Sequence, residues 1–224
     1  MGINPVDAVL AIGSLGSAAF AVVDASKAFA GGISRVGFGH VDRALGRLFP
    51  ATTLTSDAAN PLALAAVRAT LFANWLNGMT LAEQRMQAKT LVKLRLDPAN
   101  ATDLATRTGV NAEVLGRIAL KYTTGDALDH IEQDVAGRFD LILTTLLDEG
   151  YQRADQAYRN AAKIASGLVA VVLALIANAG LGGGAVSWPV ALVAGLLAAP
   201  LAPVSKDLAS AVQTAVRGMQ ILRR

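Results

Sequence analysis

The stretch NAGLGGGAVSWP, residues Asn178 to Pro189, lies between two long apolar runs and decides the fold class of the chain. No ionisable side chain occurs from residue 164 to residue 205, so this stretch is the centre of a charge-free segment. A helix that crosses a bilayer needs about 20 apolar residues, with about 17 as a lower limit. Two short helices and a glycine turn therefore fit, and we predict a transmembrane hairpin with helices at Ile164–Ala179 and Val186–Val204.

The alternative to a transmembrane hairpin is a buried hairpin in a soluble helical bundle. Buried helices of soluble proteins are usually amphipathic, because one face still meets water or polar neighbours. In the first apolar run, large side chains cover every side of the helix, namely Leu168, Val169, Val171, Val172, Leu173, Leu175 and Ile176. Trp188 sits where an interfacial aromatic residue is expected, and Pro189 suits the first turn of a helix. The pattern therefore favours a membrane.

The composition of the chain points the same way. Hydrophobic residues make up 53% of its 224 residues and the mean hydropathy is +0.44, whereas only 17% of residues are charged. A typical soluble domain has about 25% charged residues. The chain has no cysteine, which excludes disulfides, thiolate catalysis and cysteine-ligated metals. The first residues, MGINPVD, carry no lysine or arginine, so we expect no cleaved signal peptide.

A further apolar segment, Ala8–Val23, is free of charge between Asp7 and Asp24. It is short for a membrane span, so a spanning helix and an interfacial helix both remain open. Small residues in it, such as Gly13 and Ser17, would permit close contact with another helix. Asp24 and Lys27 lie three residues apart, where they would form a polar pair at the membrane interface or simply extend to water.

The positions of the basic residues predict an orientation. The glycine tip of the hairpin has none, whereas both of its flanks and the segment after residue 23 carry Lys27, Arg35, Arg43, Arg47, Arg159, Lys163, Lys206, Arg217, Arg223 and Arg224. The positive-inside rule therefore places the tip outside and both ends of the hairpin in the cytoplasm.

Between the membrane segments, no stretch alternates with the period of two that is typical of strands. We predict helices at about 33–49, 61–77 and 81–96, the last opened by a capping box formed by Thr80 and Glu83. The predicted class is all-α, a polytopic membrane protein with a helical cytosolic domain. Its predicted parts are an N-terminal membrane segment (1–30), the cytosolic domain (31–160), the transmembrane hairpin (161–204) and an amphipathic C-terminal helix (205–224).

Charge is unevenly divided within the cytosolic domain. Residues 35–121 contain 11 Lys or Arg and 6 Asp or Glu, whereas residues 126–160 contain 3 and 8. In the helix that follows Thr80, the residues Arg85, Lys89 and Lys93 are spaced four apart and share one face. They would contact anionic lipid headgroups, or they form an ordinary solvated face.

From residue 126 onward, apolar residues recur at steps of three and four, which predicts one long helix, or two nearly collinear ones, leading into the hairpin. The resulting stripe consists of Leu128, Ile131, Val135, Phe139, Ile142 and Leu146, and Tyr151, Ala154, Tyr158 and Ala161 continue it toward the hairpin. It would seal the cytosolic domain or face a neighbouring subunit in an assembly.

The sequence contains no G-x-S-x-G, H-E-x-x-H or Walker lysine motif. The two histidines, His40 and His130, each lack a second metal ligand at helical spacing, so we predict no metal and no cofactor. The spacing of a helix-turn-helix is met by Ala105, Gly109, Leu115 and Ile118. A plain pair of packed helices gives the same spacing, and the second helix offers few side chains suited to base readout, so a nucleic-acid partner is not expected.

Three blocks of the sequence are similar to uncharacterised bacterial integral membrane proteins. These blocks are ANWLNGMTLAEQRMQAKTLVKLRL (residues 73–96), DEGYQRADQAYRNAAK (148–163) and APLAPVSKDLASAVQ (199–213). The resemblance covers about residues 73–213 and implies a location in the bacterial inner membrane. That group has no assigned activity, so the resemblance implies no site residues.

Together these patterns predict a non-enzymatic membrane anchor, scaffold or accessory subunit, surrounded by the lipid bilayer and assembled with itself or with a larger membrane complex. An oligomeric pore or channel is the alternative, in which the first segment would line a path. A membrane-tethered DNA-binding regulator that uses Arg117 and Lys121 is a third hypothesis.

Overall fold

The computed structural model describes residues 5–49, 62–180 and 187–201 of the chain. Helices account for 84% of these residues and no strand occurs among them, which confirms the predicted all-α class. The helices are α1 (Pro5–Ala25), α2 (Ser34–Leu48), α3 (Leu64–Leu76), α4 (Leu81–Lys93), α5 (Ala101–Thr108), α6 (Ala112–Thr124), α7 (His130–Gly180) and α8 (Trp188–Leu201), with a 3-10 turn at Ser26–Ala28 after α1.

The predicted helix starts agree with the structure because their signals are local. The Thr80 Oγ1 atom accepts a hydrogen bond from the Glu83 backbone N–H at 3.3 Å, and Glu83 Oε2 accepts one from the Thr80 backbone N–H at 3.2 Å. Helix α4 ends at Lys93, earlier than predicted. The chain then turns at Asp97, whose Oδ1 accepts hydrogen bonds from the N–H groups of Ala99 and Asn100.

The long helix predicted from residue 126 onward is a single helix, α7, which begins at His130. A second capping box opens it. Asp129 Oδ1 accepts from the Glu132 N–H at 2.8 Å, and Glu132 Oε2 accepts from the Asp129 N–H at 2.9 Å. The predicted C-terminal helix at 205–224 lies outside the described residues.

The chain divides into two compact units. We call Ser34–Tyr158 the central unit, and Met1–Ile33 with Arg159–Arg224 the terminal unit. Helices α2 to α6 and the first part of α7 belong to the central unit. The terminal unit contains α1, the last part of α7 and α8.

The central unit has large apolar side chains in its interior. Those with less than 2% of their surface exposed include Leu45, Leu48, Leu71, Leu104, Leu115, Ile118, Phe139, Leu143, Leu147 and Tyr151. Burying each such side chain stabilises a protein in water by about 1.5–3 kcal/mol. The central unit therefore has large apolar side chains inside, as is typical of a domain that folds in water.

Within the central unit, the buried face of α7 follows the predicted stripe only in part. It consists of Phe139, Leu143, Leu147, Tyr151 and Ala154, of which Phe139, Tyr151 and Ala154 belong to the predicted stripe and its continuation. Of the predicted residues, Phe139 is buried, Leu128, Val135 and Leu146 pack partly against the core, Ile142 is half-buried and Ile131 is 64% exposed. More than one row of apolar residues on this helix has spacings of three and four. The row that continues into Gly150 and Ala154 is the one that packs against the core of the central unit. The assembly role of the predicted stripe stays a prediction.

Gly150 lies at a close approach of α7 to α2. A Cβ atom at this position would lie 2.8 Å from Ala44 Cβ and 3.6 Å from the His40 carbonyl oxygen. Real side chains do not pack at the first of these distances, so an added methyl group would push the two helices apart.

We expect Gly150→Ala to lower the free energy of unfolding by about 1–3 kcal/mol, because overpacking of the interface outweighs the gain of about 1 kcal/mol that alanine has over glycine in a helix. The matched control is Gly137→Ala on the same helix, where a Cβ would meet nothing within 4 Å. That change should raise the free energy of unfolding by up to about 1 kcal/mol. Denaturant unfolding of the full chain in detergent measures both, and a stabilising Gly150→Ala would contradict the packing of α2 on α7.

Candidate functional site

The interior of the terminal unit is made of small residues. Its packed cluster contains Ala19 of α1, Ala170 of α7 and Ala198 of α8, each 0% exposed. On the parts of these three helices that belong to the terminal unit, the other buried positions are Gly13, Gly16, Val23, Ser166, Ala174, Ala191 and Gly195. Val23 is the largest of them. Small residues let helix backbones approach closely, which is the usual basis of helix contacts in a bilayer.

The outer surface of the terminal unit carries the large apolar side chains. We call this the apolar surface, and it consists of Val22, Ile164, Leu168, Val172, Leu175, Ile176, Trp188, Val190, Val193, Leu196 and Leu197, which are 38% to 67% exposed. In water the hydrophobic effect drives such side chains inward. The terminal unit therefore has the reverse of the organisation found in the central unit.

Within residues 5–49, 62–180 and 187–201, two helices are long and apolar enough to cross a membrane. One is Asp7–Ala28, which is α1 with its following turn, and the other is α7. Helix α8 is a shorter apolar helix. Both predicted hairpin helices are thus present within the described residues, with Trp188 and Pro189 in the first turn of α8, while the tip at 181–186 and the end at 202–204 lie outside them.

The predicted polar pair lies at the end of α1. The Lys27 ammonium group forms an ion pair with the Asp24 carboxylate. The chain then folds back through Ser26, whose Oγ donates to the Val23 carbonyl oxygen at 2.6 Å and accepts from the Ile33 N–H at 3.4 Å. The pairing of Asp24 with Lys27 follows from their spacing, and a place at the membrane interface stays a prediction.

The three basic residues of α4 face acidic residues of α7. Their contacts are Arg85 Nη1 to Asp148 Oδ1 at 2.9 Å, Lys89 Nζ to Asp140 Oδ2 at 3.1 Å and Lys93 Nζ to Asp140 Oδ1 at 2.8 Å. The order of the partners is opposite along the two helices, so α4 and α7 pack antiparallel. These three ion pairs give the cations of α4 partners within the protein. Contact with lipid headgroups stays a prediction.

Helices α5 and α6 form a pair of packed helices joined at Gly109, whose φ of +69° suits glycine. Ala105, Leu115 and Ile118 are all buried between helices. A DNA-binding role would use Arg117 and Lys121, and both of these residues form ion pairs with Glu132, whose side chain is only 1% exposed. Lys121 Nζ lies 2.7 Å from Glu132 Oε2, and Arg117 Nε lies 3.5 Å from Glu132 Oε1. These contacts fix α6 on α7, and the expectation of no nucleic-acid partner stays a prediction.

Two carboxylates of α7 make the central unit sensitive to acid. The hydrogen bond from Lys121, followed by that from the Asp129 backbone N–H, lowers the pKa of Glu132. The hydrogen bond from Lys93 lowers the pKa of Asp140. A carboxylate whose pKa is lowered by folding stabilises the folded state above its ordinary pKa, and this contribution is lost as pH falls through the lowered value.

We therefore expect the melting temperature of the full chain in detergent to fall as pH drops below the ordinary pKa values of these groups, 4.5 for Glu132 and 3.8 for Asp140. Asp140→Asn should weaken this pH dependence and lower the melting temperature at pH 7, where its two salt bridges are intact. Each of these partly exposed pairs contributes at most about 1 kcal/mol. Asp134→Asn, on an exposed position of the same helix, is the control. An unchanged pH profile in Asp140→Asn would contradict the ion pairs of Asp140 with Lys89 and Lys93.

In residues 5–49, 62–180 and 187–201, no three side chains of His, Asp or Glu come together in a way that would hold a metal ion. His40 and His130 lie on different helices, α2 and α7. No family model matches the chain, and no curated protein or solved structure matches it either.

Proposed function

We propose that the chain is a non-enzymatic integral membrane protein that holds a helical domain at the cytoplasmic face of a membrane and acts as an anchor, scaffold or accessory subunit. The observation that carries this proposal is the reversed organisation of the terminal unit, with alanine and glycine inside and large apolar side chains outside. A bilayer solvates such a surface, and close contact between small residues then holds the helices together.

The magnitude of the hydrophobic effect supports a bilayer over water. A large apolar side chain that stays in water forgoes up to about 1.5–3 kcal/mol of burial free energy. Even after allowance for partial exposure, the loss over the whole apolar surface is on the order of 10 kcal/mol. This is comparable with the entire net stability of a typical domain, about 5–15 kcal/mol. Water is therefore a poor solvent for the terminal unit.

The basic residues support a sidedness for this proposal. Arg159 and Lys163 precede the charge-free segment and Lys206 follows it, whereas the segment itself has no cation. By the positive-inside rule, the hairpin tip is outside, and the central unit and the C-terminus are in the cytoplasm of a bacterial cell. The first segment would then cross from outside to inside.

Assembly with other chains is supported by apolar side chains that the central unit leaves in water. Ile131 of α7 is 64% exposed, and Leu94 and Leu120 are 61% and 55% exposed. The pore alternative would require such assembly. Among the described residues, the interior of the terminal unit is filled by small side chains in contact, so a pore would form between copies and not within one chain.

The test of assembly is the protein mass of the detergent-solubilised chain, measured by light scattering that separates protein from micelle. A defined oligomer supports a self-assembling scaffold, and ion flux through liposomes then distinguishes a pore. A monomer that retains a partner in a mild extract of native membranes supports an accessory subunit. A monomer without any partner would overturn the assembly role.

A further inference from the structure

A basic cleft lies between α2 and α7 within the central unit. Gly150 lets the two helices approach, and this brings together side chains that are distant in sequence. Arg43 and Arg47 are one helical turn apart on α2, and Arg153 is on α7. The cleft is also lined by His40 and Glu149. With His40 neutral, three arginines and one carboxylate give the lining a formal charge of +2.

The carboxylate in this cleft neutralises one arginine only. Arg153 Nη2 lies 2.8 Å from Glu149 Oε1. Arg43 Nη2 is 3.1 Å from His40 Nδ1, and Arg43 Nε donates to the Gly39 carbonyl oxygen, so Arg43 has neutral partners. Across residues 5–49, 62–180 and 187–201, the Arg47 guanidinium forms no ion pair with a carboxylate. The Arg47 carbonyl oxygen accepts from a further arginine, Arg107, at 3.2 Å.

His40 reports the electrostatic character of the cleft. Its burial, followed by the charges of Arg43 and Arg153, lowers the pKa of the imidazole. A guanidinium only donates hydrogen bonds, so His40 Nδ1 is the acceptor of the Arg43 hydrogen bond. The contributions of Arg43 and Arg153, which act in addition to burial, agree with a positive potential in the cleft.

We propose that this cleft binds a phosphate-type anion, with Arg43, Arg47 and Arg153 as its ligands. The cleft has a volume of about 40 Å³, which exceeds the 10–15 Å³ that one water molecule needs and suits a small anionic group more than a large organic molecule. Guanidinium groups match phosphate oxygens in paired hydrogen bonds, and arginines on two facing helices provide them from both sides. The phosphate group belongs to a soluble phosphorylated compound or to a lipid headgroup.

The test uses the two histidines as reporters. The full chain, labelled with ¹³C at histidine Cε1 and purified in detergent, gives two histidine resonances, and His130→Gln assigns them. Inorganic phosphate is titrated at pH 7, with sodium chloride at matched ionic strength as the control. We expect a saturable shift of the His40 resonance, a higher His40 pKa in the bound state and no change at His130. Equal shifts with sodium chloride would overturn binding of phosphate by the cleft.

Substitutions identify the ligands. Each charge-assisted hydrogen bond contributes about 1.5–3 kcal/mol, so Arg47→Gln and Arg153→Gln should each weaken binding by roughly tenfold or more. Arg138→Gln is the matched control, because Arg138 is an exposed arginine of α7 outside the cleft. Equal affinities for Arg47→Gln, Arg153→Gln and Arg138→Gln would overturn the assignment.

The source of the phosphate group is distinguished by a second arm. The same labelled chain is placed in nanodiscs of phosphatidylcholine, with or without phosphatidic acid. A His40 shift in phosphatidic acid nanodiscs that Arg47→Gln removes indicates a lipid headgroup, whereas a shift with inorganic phosphate alone indicates a soluble ligand. The absence of a His40 shift in both arms would overturn the proposal.

Discussion

Replacing Val172 by lysine is expected to reduce the yield of membrane-inserted protein at least about tenfold, whereas replacing Leu141 by lysine is expected to change it little. A lysine at the centre of a spanning helix costs about 2.5–3.5 kcal/mol, and every 1.4 kcal/mol is a factor of ten in an equilibrium. Exposed positions in water tolerate substitution within about 0.5 kcal/mol. The two residues lie on the same helix, and both are more than half exposed, at 54% and 68%.

The measurement is the amount of monodisperse protein recovered from the membrane fraction in mild detergent, at equal expression. The comparison tests whether the two positions have different surroundings. If water surrounded both Val172 and Leu141, lysine would have a similar effect at each position. Equal yields for Val172→Lys and Leu141→Lys would contradict the bilayer around the apolar surface.

Replacing Gly195 by leucine is expected to separate α8 from α7. A Cβ at this position would lie 2.5 Å from Val171 Cα, 3.0 Å from the Val171 nitrogen and 3.1 Å from the Ala170 oxygen. These are backbone atoms, which cannot rotate away, so the cost should reach the upper end of overpacking, about 3 kcal/mol. Gly195→Leu would therefore remove a close backbone contact between α7 and α8.

The matched control for Gly195→Leu is Gly167→Leu on α7, where an added Cβ would meet nothing within 4 Å. We expect this change to be neutral or to stabilise by up to about 1 kcal/mol, since leucine is a better helix former than glycine. Thermal unfolding of both variants in one detergent measures the difference. A melting temperature of Gly195→Leu equal to that of Gly167→Leu would show that α7 and α8 do not pack as described.

Features that depend on neighbouring residues could be predicted from the sequence. The positions of the helices, the Thr80 capping box and the Asp24–Lys27 pair all follow from spacings within one turn. The capping box at Asp129 and Glu132 has the same spacing as the one at Thr80 and Glu83, so it too is encoded within one helical turn. The two hairpin helices follow from the length of the charge-free segment.

Features that depend on residues distant in the sequence could not be predicted. The basic residues before residue 122 and the acidic residues after it are paired by the packing of α4 and α6 on α7. The pairs of Lys93 with Asp140 and of Lys121 with Glu132 join residues that no helical spacing relates. The buried face of α7 was also undetermined, because the choice between adjacent apolar lines was made by the approach of α2 at Gly150.

The basic cleft shows the same limit. Arg43 and Arg47 are visible in the sequence as a pair on one helical face, but Arg153 and Glu149 join them only through tertiary packing. The small residues that pack in the terminal unit could be predicted only in part. Of the two named from the sequence of α1, Gly13 is buried and Ser17 is exposed. The buried residues that follow Gly13 on α1 are Gly16 and Ala19.

The most direct measurement of the central claim is the labelling of single cysteines by a water-soluble maleimide in opened native membranes. The chain has no cysteine of its own, so each introduced thiol reports one position. The positions are Val172 and Leu196 on the apolar surface and Leu141 on the central unit, which are 54%, 57% and 68% exposed. We predict rapid labelling of Leu141→Cys, and labelling of Val172→Cys and Leu196→Cys only after denaturation in detergent. Equally rapid labelling of all three in the membrane would contradict a bilayer around the terminal unit.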